Sequence, residues 1–238
     1  MSLIPWLSKE SYQFPPTSSA MLEPNGLLAV GGDLSATRLV KAYSMGIFPW
    51  FSEMQPILWW SPDPRSVLIP DKLHISRSLR KSIRQGIFKV SADRAFTKVV
   101  ECCSQPRGGE TGTWITAEMK DAYSQLHDTG IAHSIEVWDQ QNNLVGGLYG
   151  AALGKVFFGE SMFSIQTDAS KVAVVAMVSH LQRYDFSIID CQIESAHLNS
   201  LGATNISRQH FESILDDHIQ SPAPTQRWSD NFCWDNKI

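Results

Sequence analysis

Hydrophobic and polar positions alternate along this chain with two different periods, and the switches between them mark out its elements. The clearest stretch lies between residues 132 and 158. Three apolar-rich runs, Ala132–Trp138, Leu144–Leu153 and residues 156–158, are separated by Asn142-Asn143 and Gly154-Lys155. Strand-like runs joined by such short turns predict an antiparallel meander. The period then becomes helical over Ala169–Arg183, with Asp168 as the expected N-cap. That helix is apolar on most of its sides, which predicts burial rather than an amphipathic surface position. A second strand-like run, residues 186–189, ends on Asp190-Cys191-Gln192. Strand, helix and strand in succession place the two strands parallel. Polar residues gather where these strands run out, in Gly159-Glu160-Ser161-Met162-Phe163-Ser164 and in Asp190-Cys191-Gln192. Strand ends are where α/β sheets bind ligands, so Glu160, Ser161, Asp190 and Gln192 are candidate site residues.

Upstream the pattern is less regular. Residues 1–34 are rich in Pro, Gly and Ser and are expected to be irregular, with turns at Pro15-Pro16 and Glu23-Pro24-Asn25-Gly26. Ser35 and Gly46 bracket a short helix. The prolines between Phe48 and Arg65 exclude a regular helix there. Ser76 caps a helix to about Gln85, a strand follows at 87–90, and Asp93 is expected to cap a further helix to Cys103. Residues 107–112 are expected to form a flexible loop. Thr116 caps a helix whose Met119, Ala122, Tyr123 and Leu126 share one face. A last helix spans about 207–219, and the tail, with Pro222 and Pro224, is loop-like. The fold class is therefore α/β (α+β) with a mixed sheet, and its element order resembles the acyltransferase fold of the N-acetyltransferase (GNAT) superfamily.

Charge changes this picture at one place. The net charge is -4, but residues 72–94 carry seven basic residues and one acidic one, leaving 13 basic and 23 acidic residues elsewhere. Arg77, Arg80, Lys81 and Arg84 fall on one helix face, an arrangement suited to phosphates, although a solvated helix face carries charge in the same way. The four cysteines form no metal-binding spacing, so no metal is expected. They suit reduced thiols of a cytoplasmic protein. The start of the chain is not patterned as a signal peptide, and no run has the length of a membrane span. The tryptophans around Pro49 and Pro62 suit stacking on a base, or equally a small aromatic core.

Taken in order, several motifs identify a family. They are Glu23-Pro24-Asn25-Gly26 leading to Gly31-Gly32-Asp33-Leu34-Ser35, then Gly46-Ile47-Phe48-Pro49-Trp50-Phe51, then Trp59-Trp60-Ser61-Pro62-Asp63-Pro64-Arg65. Gly112-Thr113-Trp114-Ile115-Thr116, His133-Ser134-Ile135-Glu136-Val137-Trp138, Gly159 to Ser164, Asp168-Ala169-Ser170-Lys171 and Asp190-Cys191-Gln192 follow. The chain resembles the leucyl/phenylalanyl-tRNA–protein transferases over nearly its whole length. The resemblance implies a small N-terminal domain, residues 1–64, and an acetyltransferase-like catalytic domain, residues 65–238. It implies transfer of Leu or Phe, less readily Met, from aminoacyl-tRNA to the α-amino group of proteins beginning with Lys or Arg, which marks them for degradation. No cofactor is implied, and a cytoplasmic monomer is expected.

Such a transfer is aminolysis of an ester: an amine loses a proton and a ribose oxygen gains one. By the resemblance, Asp190 and Gln192 form a catalytic relay, Asp190 drawing the proton through the Gln192 carbonyl. Glu160 binds the donor's amino group or orients the terminal ribose. Met162, Phe157, Leu148 and Phe163 are expected to form the amino-acid pocket. Trp50 and Trp114 are expected against the terminal adenosine, with Arg77, Arg80, Lys81 and Arg84 holding the acceptor arm. Two alternatives belong to other classes, an acetyl-CoA-dependent N-acetyltransferase and a non-catalytic RNA-binding module. The first is disfavoured because the junction Ser164 to Lys171 holds no glycine for a pyrophosphate loop. The second leaves Asp190 and Gln192 without a role.

Overall fold

Two sheets share the chain in a computed structural model that describes residues 4–106, 114–221 and 227–236. The expected loop 107–112 and the Pro222 and Pro224 positions lie outside those residues. The small sheet contains β1 (Trp6–Leu7), β2 (Leu27–Gly31), β3 (Phe48–Pro49) and β4 (Leu58–Trp60) in the order β1-β2-β4-β3. The helix α1 (Ala36–Ser44) joins β2 to β3, capped by Ser35 as expected. The chain then enters the large sheet through β5 (Arg65–Leu68). After it come α2 (Arg77–Arg84), β6 (Lys89–Ala92), α3 (Phe96–Cys103), α4 (Ala117–Asp128), β7 (Ala132–Trp138), β8 (Leu144–Leu153) and β9 (Val156–Ser164). The chain closes with α5 (Ala169–Arg183), β10 (Ile188–Gln192), α6 (Ala196–Asn199), β11 (Thr204–Ile206) and α7 (Arg208–His218). The large sheet runs β11-β5-β10-β9-β8-β7-β6.

The meander, the buried crossover helix and the parallel return strand are all present: β6 to β9 are antiparallel, and β10 lies parallel to β9. This is the element order expected from the sequence. α5 lies close against the sheet because β8 is glycine-rich where it passes. A Cβ on Gly146 would sit 2.5 Å from the Cβ of Ala169. Apolar clusters fill both faces of the sheet, one under α5 and α2, the other under α1, α3 and α4.

Four expectations are corrected. Residues 1–34 are not all irregular: β2 pairs with β4, and β1 adds to its other edge. β9 does not stop at Phe158 but continues to Ser164, because β8 supplies partners as far as Gly146. Its glycine and polar residues read as a loop only in isolation. Asp168 makes no side-chain cap to α5. It has φ 69 and accepts a hydrogen bond from Ser82 Oγ at 2.8 Å, which ties α2 to α5. Asp93 likewise caps nothing; α3 starts after Ala95 with no side-chain cap. Its carboxylate faces His133 Nδ1 at 2.8 Å and accepts from the backbone N–H groups of Ser134 and Trp228. Buried donors have claimed a carboxylate that local pattern assigned to a helix end.

Trp228, held in this way, stacks on His133 at 4.3 Å and packs on His180 of α5 at 4.6 Å. His180 is only 2% exposed. Burial, helped by the charges of His133 and Arg183 and opposed by Asp93, pushes its pKa down to about 4. The unfolded chain binds this proton near pH 6.5, so stability falls as pH drops from about 6.5 to 4, by about 3 kcal/mol. His180→Phe is expected to flatten that part of the acid limb. Urea unfolding at neutral and mildly acid pH checks it, and an equal acid loss in variant and native protein would refute it.

Candidate active site

β9 and β10 pair only over Val156, Phe157 and Phe158 against Ile188, Ile189 and Asp190. At the end of that short ladder each strand departs from regular register. Against β8, β9 shifts between Tyr149 and Gly150, so Glu160 is an extra residue. Against β5, β10 shifts between Asp190 and Gln192, so Cys191 is extra. Bulges re-aim side chains next to sites. The first depends on Gly150, where a Cβ would lie 2.2 Å from the Phe158 carbonyl oxygen and 2.6 Å from the Phe157 ring. Gln192 adopts a left-handed φ of 59, a conformation that persists in a non-glycine residue only where its surroundings impose it.

Between the two strand ends lies a cleft of about 100 Å³. Its apolar wall includes Leu148, Phe157, Met162, Val174, Met177 and Ile189, and Glu160, Ser161 and Gln192 line it as well. For scale, an apolar cavity of about 150 Å³ accommodates benzene.

Glu160 is held from three directions. Tyr43 of α1 donates to Oε1 at 2.7 Å, Tyr123 of α4 to Oε2 at 2.6 Å, and Gln192 Nε2 lies 3.3 Å from Oε1. Burial raises its pKa to about 7, against the two tyrosine hydrogen bonds and the Arg65 charge, and with help from the Asp190 charge. A carboxyl that exchanges its proton near neutrality suits acid–base work.

Asp190 is fully buried and engaged by Arg65, whose Nε and Nη2 donate to Oδ1 and Oδ2 at 2.7 and 2.6 Å. Arg65 also donates to the Gly46 carbonyl at 2.9 Å and lies between the rings of Phe48 and Phe211. The backbone N–H of Gln192 donates to Asp190 Oδ1 at 2.9 Å. The direct contact between the two residues runs through that N–H. That geometry fixes the Gln192 bulge, and Asp190 borders the cleft beside it. Across that bulge Asp190 and Gln192 both border the cleft, as their spacing leads one to expect. Cys191 borders the cleft too, but burial, with the Asp190 charge, pushes its thiol well up and keeps it protonated.

Residues 67–216 match the family described as leucyl/phenylalanyl-tRNA protein transferase, and residues 32–63 match its N-terminal domain. The chain belongs to that family. Its relatives include a leucyl/phenylalanyl-tRNA–protein transferase of Stutzerimonas stutzeri, 54% identical over 93% of this chain and 97% of the relative. One of Nitrosospira multiformis is 53% identical over 99% of each chain. One of Pseudomonas fluorescens is 56% identical over 92% of this chain and 97% of the relative. The protein is thus an aminoacyl-tRNA transferase. Among solved structures, a GCN5-related N-acetyltransferase from Kribbella flavida shares 9% identity over 72% of this chain and 60% of that one, with a TM-score of 0.33.

Of the residues expected in this transferase's pocket, Leu148, Phe157 and Met162 line the cleft together. Phe163 does not. It faces the other side of β9, near Val99, and borders a separate hollow of about 600 Å³ that meets the cleft at Met162. Trp50 is 42% exposed with its ring 5.7 Å from that of Trp60, whereas Trp114 is half-buried against the core. Among the described residues the two rings make no ring contact with each other. Arg77, Arg80, Lys81 and Arg84 line one open hollow on α2, as their spacing predicts. Sequence reasoning missed Arg65, Tyr43 and Tyr123 as site residues. Arg65 stood at the end of a motif without a partner, Tyr123 read as one of the residues sharing a face of α4, and Tyr43 lay in a short helix with no assigned role.

No helix among the described residues is long and apolar enough to cross a membrane.

Proposed function

We propose that this enzyme takes leucine or phenylalanine, and methionine less readily, from its tRNA and joins it to the α-amino group of proteins beginning with Lys or Arg, creating a signal for their degradation. The observation that carries this reading is the cleft itself: an apolar wall of one side chain's dimensions, bordered by Glu160 and Gln192. The donor side chain lies against Leu148, Phe157 and Met162, with Val174, Met177 and Ile189 closing the wall. Its ester carbonyl then faces Glu160 and Gln192, where the acceptor amine attacks. Asp190, through Arg65 and the Gln192 N–H, holds that end of the cleft in shape. Met162 adapts the wall to two side-chain shapes. Exclusion of β-branched side chains by shape alone is worth only about 1–3 kcal/mol.

In this reading the basic row of α2 holds acceptor-arm phosphates, and Trp50 and Trp114 lie against the terminal adenosine. Residues 1–64 present Trp50, residues 65–238 carry the cleft, and the protein acts as a cytoplasmic monomer. The test is transfer of labelled leucine from leucyl-tRNA to two model proteins that differ only in a first residue of Arg or Ala. Transfer to the Arg protein alone is expected. Binding of the same tRNA is expected to weaken steeply with salt, and Arg80→Ala/Lys81→Ala to lower the log–log slope by roughly two. Equal transfer to both proteins would remove the acceptor assignment, and an unchanged slope would remove α2 from the tRNA interface.

A further inference from the structure

Three oxygen-to-oxygen contacts join Glu160, Tyr43 and Tyr123. Tyr43 Oη lies 2.7 Å from Oε1, Tyr123 Oη lies 2.6 Å from Oε2, and the two phenolic oxygens lie 2.5 Å from each other. Each contact of this length needs a proton between its oxygens. Each tyrosine brings one. If Glu160 is ionised, both phenols turn to it and the Tyr43 and Tyr123 oxygens face one another with nothing between them. If Glu160 carries a proton, all three contacts are satisfied: Oε2–H donates to Tyr123, Tyr123 to Tyr43, and Tyr43 to Oε1. Both tyrosines are fully buried, with 0% of their surface exposed.

We propose that Glu160, Tyr43 and Tyr123 form one closed ring of hydrogen bonds that holds three protons when protonated and two when acting as a base, and that the third proton is the one the acceptor amine gives up. The step rests on the reading of the cleft as the transfer site. The acceptor arrives as an ammonium group. Its nitrogen forms a bond to the ester carbonyl carbon, and the bond from that carbon to the ribose oxygen breaks. Of the two protons the nitrogen sheds, one goes to the Glu160 carboxylate and closes the ring, and the other goes to the leaving ribose oxygen. The products are an amide, a ribose hydroxyl and a neutral Glu160, which releases its proton to solvent before the next turnover. Tyr43 and Tyr123 are then positioning residues that set how readily Glu160 takes a proton.

The groups that face Glu160 are Tyr43 from α1, Tyr123 from α4, Arg65 from β5 and Asp190 from β10, and Tyr149 from β8 faces the two tyrosines. Buried carboxyl chemistry and the two donors place its titration near neutrality. The ionised ring is the active base, so transfer rises with pH through this titration. Removing a phenol removes a donor that favours the charged form, and the rise moves to higher pH.

The test has two parts. Infrared spectra of the free protein at about pH 6 are expected to show a protonated-carboxyl stretch that is lost in Glu160→Gln and fades as pH rises through about 7. Transfer profiles of Tyr43→Phe and Tyr123→Phe, checked for intact thermal unfolding, are expected to rise about one pH unit later than the native profile, with the lost rate recovered at high pH. No such stretch overturns the ring. A stretch together with unmoved profiles overturns its part in catalysis. The spectrum needs neither tRNA nor a tyrosine variant, so it stands if those variants do not fold or if transfer at this cleft is disproved.

Discussion

Glu160→Gln is expected to give a protein at least as stable as the native chain that scarcely transfers an aminoacyl group. The amide copies the protonated carboxyl: its Nε2–H donates to Tyr123, Tyr123 donates to Tyr43, and Tyr43 donates to its oxygen, so the ring stays closed. What the amide lacks is a charged state that accepts a proton. Loss of a positioned acid–base group lowers kcat/KM by roughly 10²–10⁴-fold. Stability moves the other way. Glu160 has its folded pKa raised from 4.5 to about 7. The folded state therefore binds a proton that the unfolded chain has released, and native stability is lost as pH rises from about 4.5 through 7, by as much as about 3 kcal/mol. Glutamine has no such loss, so the variant gains on the native protein above neutral pH. Urea unfolding at pH 5 and 8, beside transfer kinetics, checks both halves. A variant that keeps more than about a tenth of native kcat/KM removes Glu160 from proton transfer, given the range above. One that is less stable at both pH values removes the closed ring.

How far the site was legible depended on where the restraints come from. α5 and the meander could be read because their apolar periods are long and uninterrupted. The caps at Ser35, Ser76 and Thr116 were legible because a cap is a contact across three residues. Asp93 and Asp168 carry the same local signal, yet their partners are His133 and Ser82, 40 and 86 residues away. The bulge at Glu160 depends on Gly150 in another strand, so the tail of β9 resembled a loop. Phe163 was expected in the same pocket as Met162, but neighbouring residues in a strand face opposite sides. Arg65 was hidden most completely. Nothing within its own segment requires an ion pair with a residue 125 positions further on.

That ion pair sets the second large effect: Arg65→Met is expected to destabilise the fold by about 3–5 kcal/mol, because it strands a buried carboxylate. Arg65 is 1% exposed and Asp190 fully buried, so water cannot take over the lost bonds without opening the core. Lysine is no substitute. Its single ammonium cannot span both oxygens of Asp190, reach the Gly46 carbonyl and stack between Phe48 and Phe211. Arg65→Met/Asp190→Leu removes both charges together and is expected to recover most of the lost stability, as buried pairs replaced by apolar residues commonly do. It is not expected to recover transfer. Without Asp190 the backbone N–H of Gln192 loses its acceptor, the left-handed turn at Gln192 loses its tether, and the polar end of the cleft relaxes. Denaturant unfolding and transfer kinetics on the two singles and the double form a complete cycle. Loss of less than about 1 kcal/mol in Arg65→Met would contradict the buried-charge argument. Native transfer by a refolding double variant would show that the pair holds the fold together but does not shape the site.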